Sequence, residues 1–168
     1  MQKMFAAVTV ALVITGSAVA QVQNVALSGL NEVPAVITVA TGNAILTYNA
    51  ATTQLNWNVS WSNLNNGNGN NTSIFAHIHA ASGPNLNGPV VIDFGNNLPG
   101  VATGSVFLNT LTNARLAALF AGNGYVNVHS STFQPGELRG NIPAGFIPAP
   151  GAAALLGLGA LAAGRRRR

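Results

Sequence analysis

Residues 54–61 alternate without a break: Leu55, Trp57, Val59 and Trp61 fall on one face, and Asn56, Asn58 and Ser60 on the other. Successive side chains of an extended chain point to opposite sides, so a period of two predicts a strand with one face in a core and one in water. Four bulky residues on one strand face are most simply core; the functional alternative is a platform on which sugars stack. Shorter runs of the same character recur at residues 22–30, 36–40, 43–48, 74–80, 89–94, 104–109, 124–130 and 137–142. Turn-forming clusters separate them, notably Thr41-Gly42-Asn43, Gly83-Pro84-Asn85 and Gln134-Pro135-Gly136. Short strands at such intervals predict an all-β sandwich or barrel. One segment breaks the period. Leu111, Leu116, Leu119 and Phe120 stand near helical spacing, with Thr112 placed to cap and Gly122 to stop, which predicts one short helix over about 111–121.

Charge narrows the function. Only 6 % of the 168 residues are charged, against roughly a quarter in ordinary soluble domains. No uninterrupted apolar run reaches the ~20 residues of a membrane helix, which excludes a multi-span protein. The formal charge of +4 belongs to the ends, because five of the seven basic residues are Lys3 and Arg165, Arg166, Arg167 and Arg168. Between residues 21 and 142, Glu32, Asp93 and Glu137 face only Arg115 and Arg139, a net charge of −1. A nucleic-acid binder needs a basic stripe to neutralise phosphates, and this body has none. There is no Cys, so stability rests on packing rather than on disulfides. Residues 63–71 are nearly all Asn and Gly, too poor in apolar surface to order themselves, and are expected to form a mobile loop.

Both ends read as addresses. Residues 1–20 combine a basic start at Lys3, an apolar run over 4–14 and a close on Ala18-Val19-Ala20, the three parts of a secretory signal peptide cut after Ala20. Residues 143–168 hold Pro143, Pro148 and Pro150, then an Ala, Leu and Gly run over 151–164, then the Arg cluster. As a helix, that run spans only about 21 Å, a temporary stop rather than a permanent anchor, with the Arg cluster held on the cytoplasmic side. The order resembles the PEP-CTERM sorting signal of exopolysaccharide-producing bacteria, with Pro148-Ala149-Pro150 where that signal has Pro-Glu-Pro. The resemblance implies Sec export, cutting by an exosortase-type enzyme, and residence at the cell surface or in an extracellular matrix.

Between the addresses, the histidines carry the chemistry. On the run 74–80, parity puts Phe75, His77 and His79 on one face and Ile74, Ala76 and Ile78 on the other. On the run 124–130, Tyr125, Asn127 and His129 share a face opposite Val126 and Val128. If those strands are neighbours, three imidazoles converge, and three His ligands with an open fourth position suit zinc or copper. The alternative is a set of solvated or hydrogen-bonded structural histidines. A shared site requires the nitrogens about 3–4 Å apart, given metal–nitrogen bonds near 2.0–2.1 Å. Other catalytic sets are weaker. The serines lack a nucleophile elbow and residues 21–142 hold no Lys for Schiff-base chemistry. Glu137 reads as paired with Arg139 along a strand edge, and Glu32 as a cap on backbone amides or a partner of the His site.

The segments Leu27-Ser28-Gly29-Leu30-Asn31-Glu32-Val33-Pro34, Ala76-His77-Ile78-His79, Asn87-Gly88-Pro89-Val90-Val91, Gly124-Tyr125-Val126-Asn127-Val128-His129 and Pro135-Gly136-Glu137-Leu138-Arg139-Gly140 resemble, in that order, the CHRD domain named after chordin. The resemblance covers about residues 22–142 and implies an immunoglobulin-like or superoxide-dismutase-like β-sandwich or barrel. It implies no settled activity. A dismutase needs a redox metal and further ligands, and with no fourth His in the chain dismutase activity is not expected. Two classes of function remain. One is a noncatalytic structural or adhesion module, meeting exopolysaccharide or surface proteins and touching the membrane only transiently. The other is a copper- or zinc-binding protein using His77, His79 and His129.

Overall fold

Alternating apolar residues need a common interior, and eight strands supply it. A computed structural model describes residues 20–147, apart from Ser82 and Pro84. The strands are β1 (Gln21–Ser28), β2 (Thr41–Asn49), β3 (Gln54–Ser62), β4 (Thr72–Ala80), β5 (Val90–Pro99), β6 (Val101–Phe107), β7 (Gly124–His129) and β8 (Leu138–Asn141). They form one antiparallel sheet in the order β5-β4-β7-β8-β1-β2-β3-β6. The sheet's two end strands, β5 and β6, follow one another through Gly100 and touch, so the sheet is nearly closed. Closure hides the unpaired strand edges that an open sheet exposes to other chains.

The face predicted from residues 54–61 is the core face: Leu55 and Val59 are fully buried, with Trp57 and Trp61 close behind. Trp57 stacks on Phe94 with ring centroids 4.7 Å apart. It lies so close over Gly104 that a Cβ there would meet the indole at 2.4 Å, which only glycine accommodates. The one short helix spans Asn113–Phe120. Thr112 occupies its N-cap position without the expected side-chain hydrogen bond. Buried side chains extend past residue 142 to Phe146 and Ile147. Residues 1–19 of the expected signal peptide 1–20, and the tail from residue 148 with its Pro148-Ala149-Pro150 motif, lie outside the described residues.

Three local expectations are corrected. Residues 36–40 form no strand; the Val36 N–H donates to the Gly29 carbonyl at 2.8 Å and the Val39 N–H to Asn66 Oδ1 at 3.3 Å, so loops rather than a strand take their hydrogen bonds. Thr41-Gly42-Asn43 is not a turn but the start of β2, paired with Ser60, Trp61 and Ser62.

The third correction is the loop over 63–71, which is built rather than mobile. Asn63, Asn65 and Asn66 take left-handed backbone angles, with φ of 58, 57 and 56°, a region Asn enters more readily than most residues. That conformation turns the N–H groups of Asn65 and Asn66 inward, where they donate to the Glu137 carboxylate at 2.8 and 3.0 Å. The Thr38 hydroxyl donates to the same group at 2.6 Å. Asn65 Oδ1 accepts from Ser131 and Thr132, and Asn71 bonds Trp61 in both directions. Leu64 is fully buried. One apolar plug and a buried anion do what a long apolar run would otherwise do. Glu137 is therefore not the partner of Arg139, whose guanidinium instead donates to Asn141, Asn87 and the Leu86 carbonyl.

Candidate metal centre

All six residues of β7 are buried. Val126 and Val128 face the barrel core, so Tyr125, Asn127 and His129 must be covered from outside. Residues 29–40, 86–89 and 131–137 provide the cover: Glu32 meets Asn127, Gly88 meets His79, and Gln134 meets His129. A thin polar layer thus lies between the sheet and its overlying loops. Gly136, at φ 144°, closes the layer where a Cβ would sit 2.6 Å from both Asn127 and Glu32.

Strands β4 and β7 are direct neighbours, with His77 opposite Asn127, Phe75 opposite His129 and His79 opposite Tyr125. The parity read from the sequence therefore brings all three imidazoles together. One coordinating nitrogen from each of His77, His79 and His129 lies within 4.8 Å of the others, and His77 Nδ1 is 3.2 Å from His129 Nε2. A tetrahedral ion with bonds near 2.0–2.1 Å sets its ligands about 3.4 Å apart. One pair already meets that spacing, and the third nitrogen lies within 4.8 Å of both.

Outer contacts decide which nitrogen of each ring is free. His79 Nδ1 donates to the Gly88 carbonyl at 2.8 Å, and His129 Nδ1 donates to the Gln134 carbonyl at 2.8 Å. A carbonyl only accepts, so both rings carry their proton on Nδ1 and offer a lone pair at Nε2. His79 Nε2 is buried and has no hydrogen-bond partner. His77 is the reverse case: its Nδ1 faces the cluster and, without metal, donates to His129 Nε2 at 3.2 Å, while its Nε2 lies 3.6 Å from an Asp93 carboxylate oxygen. Sequence parity left Asp93 unrelated to the histidines, because register shifts between Ala76 and His77 and between Ile78 and His79 move β5 along β4. A bulge of this kind has no reliable signature in sequence.

Burial keeps the rings neutral. It pushes His77 down to about 4, with His129 and His79 adding to the effect. It also lowers His79 against the opposing bond to Gly88, with His129 and then Arg139 adding to the fall, and lowers His129 against its bond to Gln134. Neutral imidazole is the form that binds metal.

Behind the cluster, Tyr125 stacks on His79 at 4.9 Å and 6°. The Arg139 guanidinium lies 3.5 Å from the centre of the same Tyr125 ring. Glu32 is buried with both carboxylate oxygens accepting from Asn127 Nδ2, at 3.1 and 3.2 Å. Glu32 thus joins the layer beside the histidines, through Asn127.

A model of the CHRD domain matches residues 23–142, most of the chain. The protein belongs to the CHRD-domain family. Among curated proteins and among solved structures, none matches it. All three histidines of this CHRD domain, and every group that orients them, fall inside the matched region.

The stability of the metal-free CHRD domain is expected to depend on pH in two opposed ways. His77 binds its proton more weakly folded than unfolded, so stability falls as pH drops from about 6.5 to about 4. Burial raises Glu32 from 4.5 to about 7, so the folded state holds that proton longer and stability falls as pH rises from about 4.5 to 7. Glu32→Gln removes the second effect. Chemical denaturation at pH 8 should show the variant more stable by roughly 1–3 kcal/mol, a difference that vanishes near pH 4. A loss of stability at pH 8 would contradict the assignment of Glu32 as a buried carboxyl.

Proposed function

We propose that this CHRD domain is an exported, noncatalytic module that holds one copper or zinc ion on His77 Nδ1, His79 Nε2 and His129 Nε2. The observation that carries the reading is His79 Nε2, a buried nitrogen that is aimed into the cluster and has no hydrogen-bond partner. A structural histidine is expected to satisfy both ring nitrogens when buried, because an unpaired buried polar atom costs about 1–3 kcal/mol. A ligand-ready one leaves a lone pair exposed to the ion. The carbonyl bonds of His79 and His129 and the carboxylate behind His77 are the outer contacts that metal-binding imidazoles use.

Export and retention at the cell surface or in a matrix are supported by the signal-peptide pattern over residues 1–20 and the sorting-signal pattern over 143–168. A noncatalytic role is supported by how the charged groups are used: Glu137 and Arg139 are each held by three protein contacts as parts of the scaffold.

Isothermal titration of Cu²⁺ and of Zn²⁺ into metal-stripped protein, beside the His77→Ala, His79→Ala, His129→Ala triple variant, tests this directly. One-to-one binding with submicromolar affinity that disappears in the variant is expected. Equal heats in the two proteins would make the histidines structural and return attention to polysaccharide and surface-protein partners.

A further inference from the structure

Resting on the three-histidine reading above, we infer that the site selects copper as the monovalent ion, Cu(I), over Cu(II) and Zn(II). The charge around the cluster carries this. Its three donors are all imidazoles, and among the described residues no carboxylate or thiolate joins them. Desolvating an ion costs energy in proportion to the square of its charge, so a buried divalent ion needs about four times the compensation of a monovalent one. Anionic ligands ordinarily supply that compensation.

The surrounding elements supply little. From β5, Asp93 stands behind His77 rather than among the donors, and its side chain is 69 % exposed, where water screens it. From β8, Arg139 brings a fixed positive charge onto the Tyr125 ring, whose other neighbour in the stack is His79. A fixed positive charge so placed opposes a second unit of metal charge. From the 29–40 segment, Glu32 is the one buried anionic group near the layer, and burial holds it half protonated near neutral pH.

Geometry agrees. Three nitrogen donors satisfy a trigonal ion, whereas zinc completes a tetrahedron with a fourth ligand. On the β4 side, the cluster is bordered by an apolar group, since the Phe75 ring lies 5.8 Å from His77 and 6.5 Å from His129. Nitrogen sites rank Cu(II) highest among divalent ions by default, so Cu(II) is the divalent competitor that Cu(I) must outbind.

The test uses the purified protein. Cu(I), generated anaerobically with ascorbate, is competed against bicinchoninate, and Cu²⁺ and Zn²⁺ are competed against chelators of known affinity. Cu(I) is expected to bind at least tenfold tighter than Cu(II), which places the bound couple at least 59 mV above the aqueous one. Asp93→Asn and Glu32→Gln, which remove the little anionic charge near the site while keeping shape, are expected to change the ratio of Cu(I) to Cu(II) affinity less than threefold. Equal or tighter binding of Cu(II) or Zn(II), or a variant that weakens Cu(II) more than threefold relative to Cu(I), overturns this inference and leaves the three-histidine site standing. Failure of every ion to bind overturns the site itself.

Discussion

Glu137→Ala is expected to cost about 3–5 kcal/mol of stability. The carboxylate is fully buried and accepts from Thr38 Oγ1 and from the N–H groups of Asn65 and Asn66. Hydrogen bonds to a charged group are worth about 1.5–3 kcal/mol each, and the two stranded N–H groups add the cost of buried donors left unpaired. A domain of this size is stable by about 5–15 kcal/mol in all, so the variant sits at the edge of folding. Glu137→Gln keeps the shape but turns an N–H group toward donors, and is expected to lose roughly half as much. Thr38→Val removes one contact and should cost about 1 kcal/mol. Urea unfolding measures each loss, and limited proteolysis should cut within residues 63–71 first in the Glu137 variants. The ion pair with Arg139 expected from sequence would be an exposed one, worth under about 1 kcal/mol. A Glu137→Ala loss that small would contradict the buried lock.

The second large effect is stabilisation by metal. An ion that binds only the folded state adds about 2.7 kcal/mol at a hundredfold excess over Kd and about 4.1 at a thousandfold excess. For a domain of this size that raises Tm by roughly 10–20 °C. Chelation should reverse the rise, and His79→Ala should abolish it. The metal-free Tm of that variant should itself fall, because the ring's Nδ1 bond to the Gly88 carbonyl and its stacking on Tyr125 go with it. A Tm shift that survives in His79→Ala would place the ion elsewhere.

Much of this was legible in the sequence because the period of two is a strong physical signal. It predicted the core face of β3 and the common face of His77, His79 and His129, and the all-β closed sheet followed from the spacing of the strands. The remaining features depend on long-range pairing. Asp93 reaches His77 only through the bulged register of β5 on β4. Glu137 meets Asn65, 72 residues away in sequence, only because three Asn residues take left-handed backbone angles. The 63–71 segment looked unable to order itself when only apolar burial was counted, and it is ordered by hydrogen bonds to a buried anion. Residues 36–40 had a strand's alternation, but their N–H groups bond to Gly29 and Asn66 in loops rather than to a strand. Alternation specifies which way side chains point; it does not specify a neighbour.

X-ray absorption at the metal edge of the loaded protein tests the central claim most directly. Three nitrogen scatterers about 2.0 Å from the ion, with the outer-shell pattern of imidazole rings, are predicted, and all three should be lost in the triple alanine variant. A shell made of oxygen alone, or one unchanged in that variant, would contradict the three-histidine site.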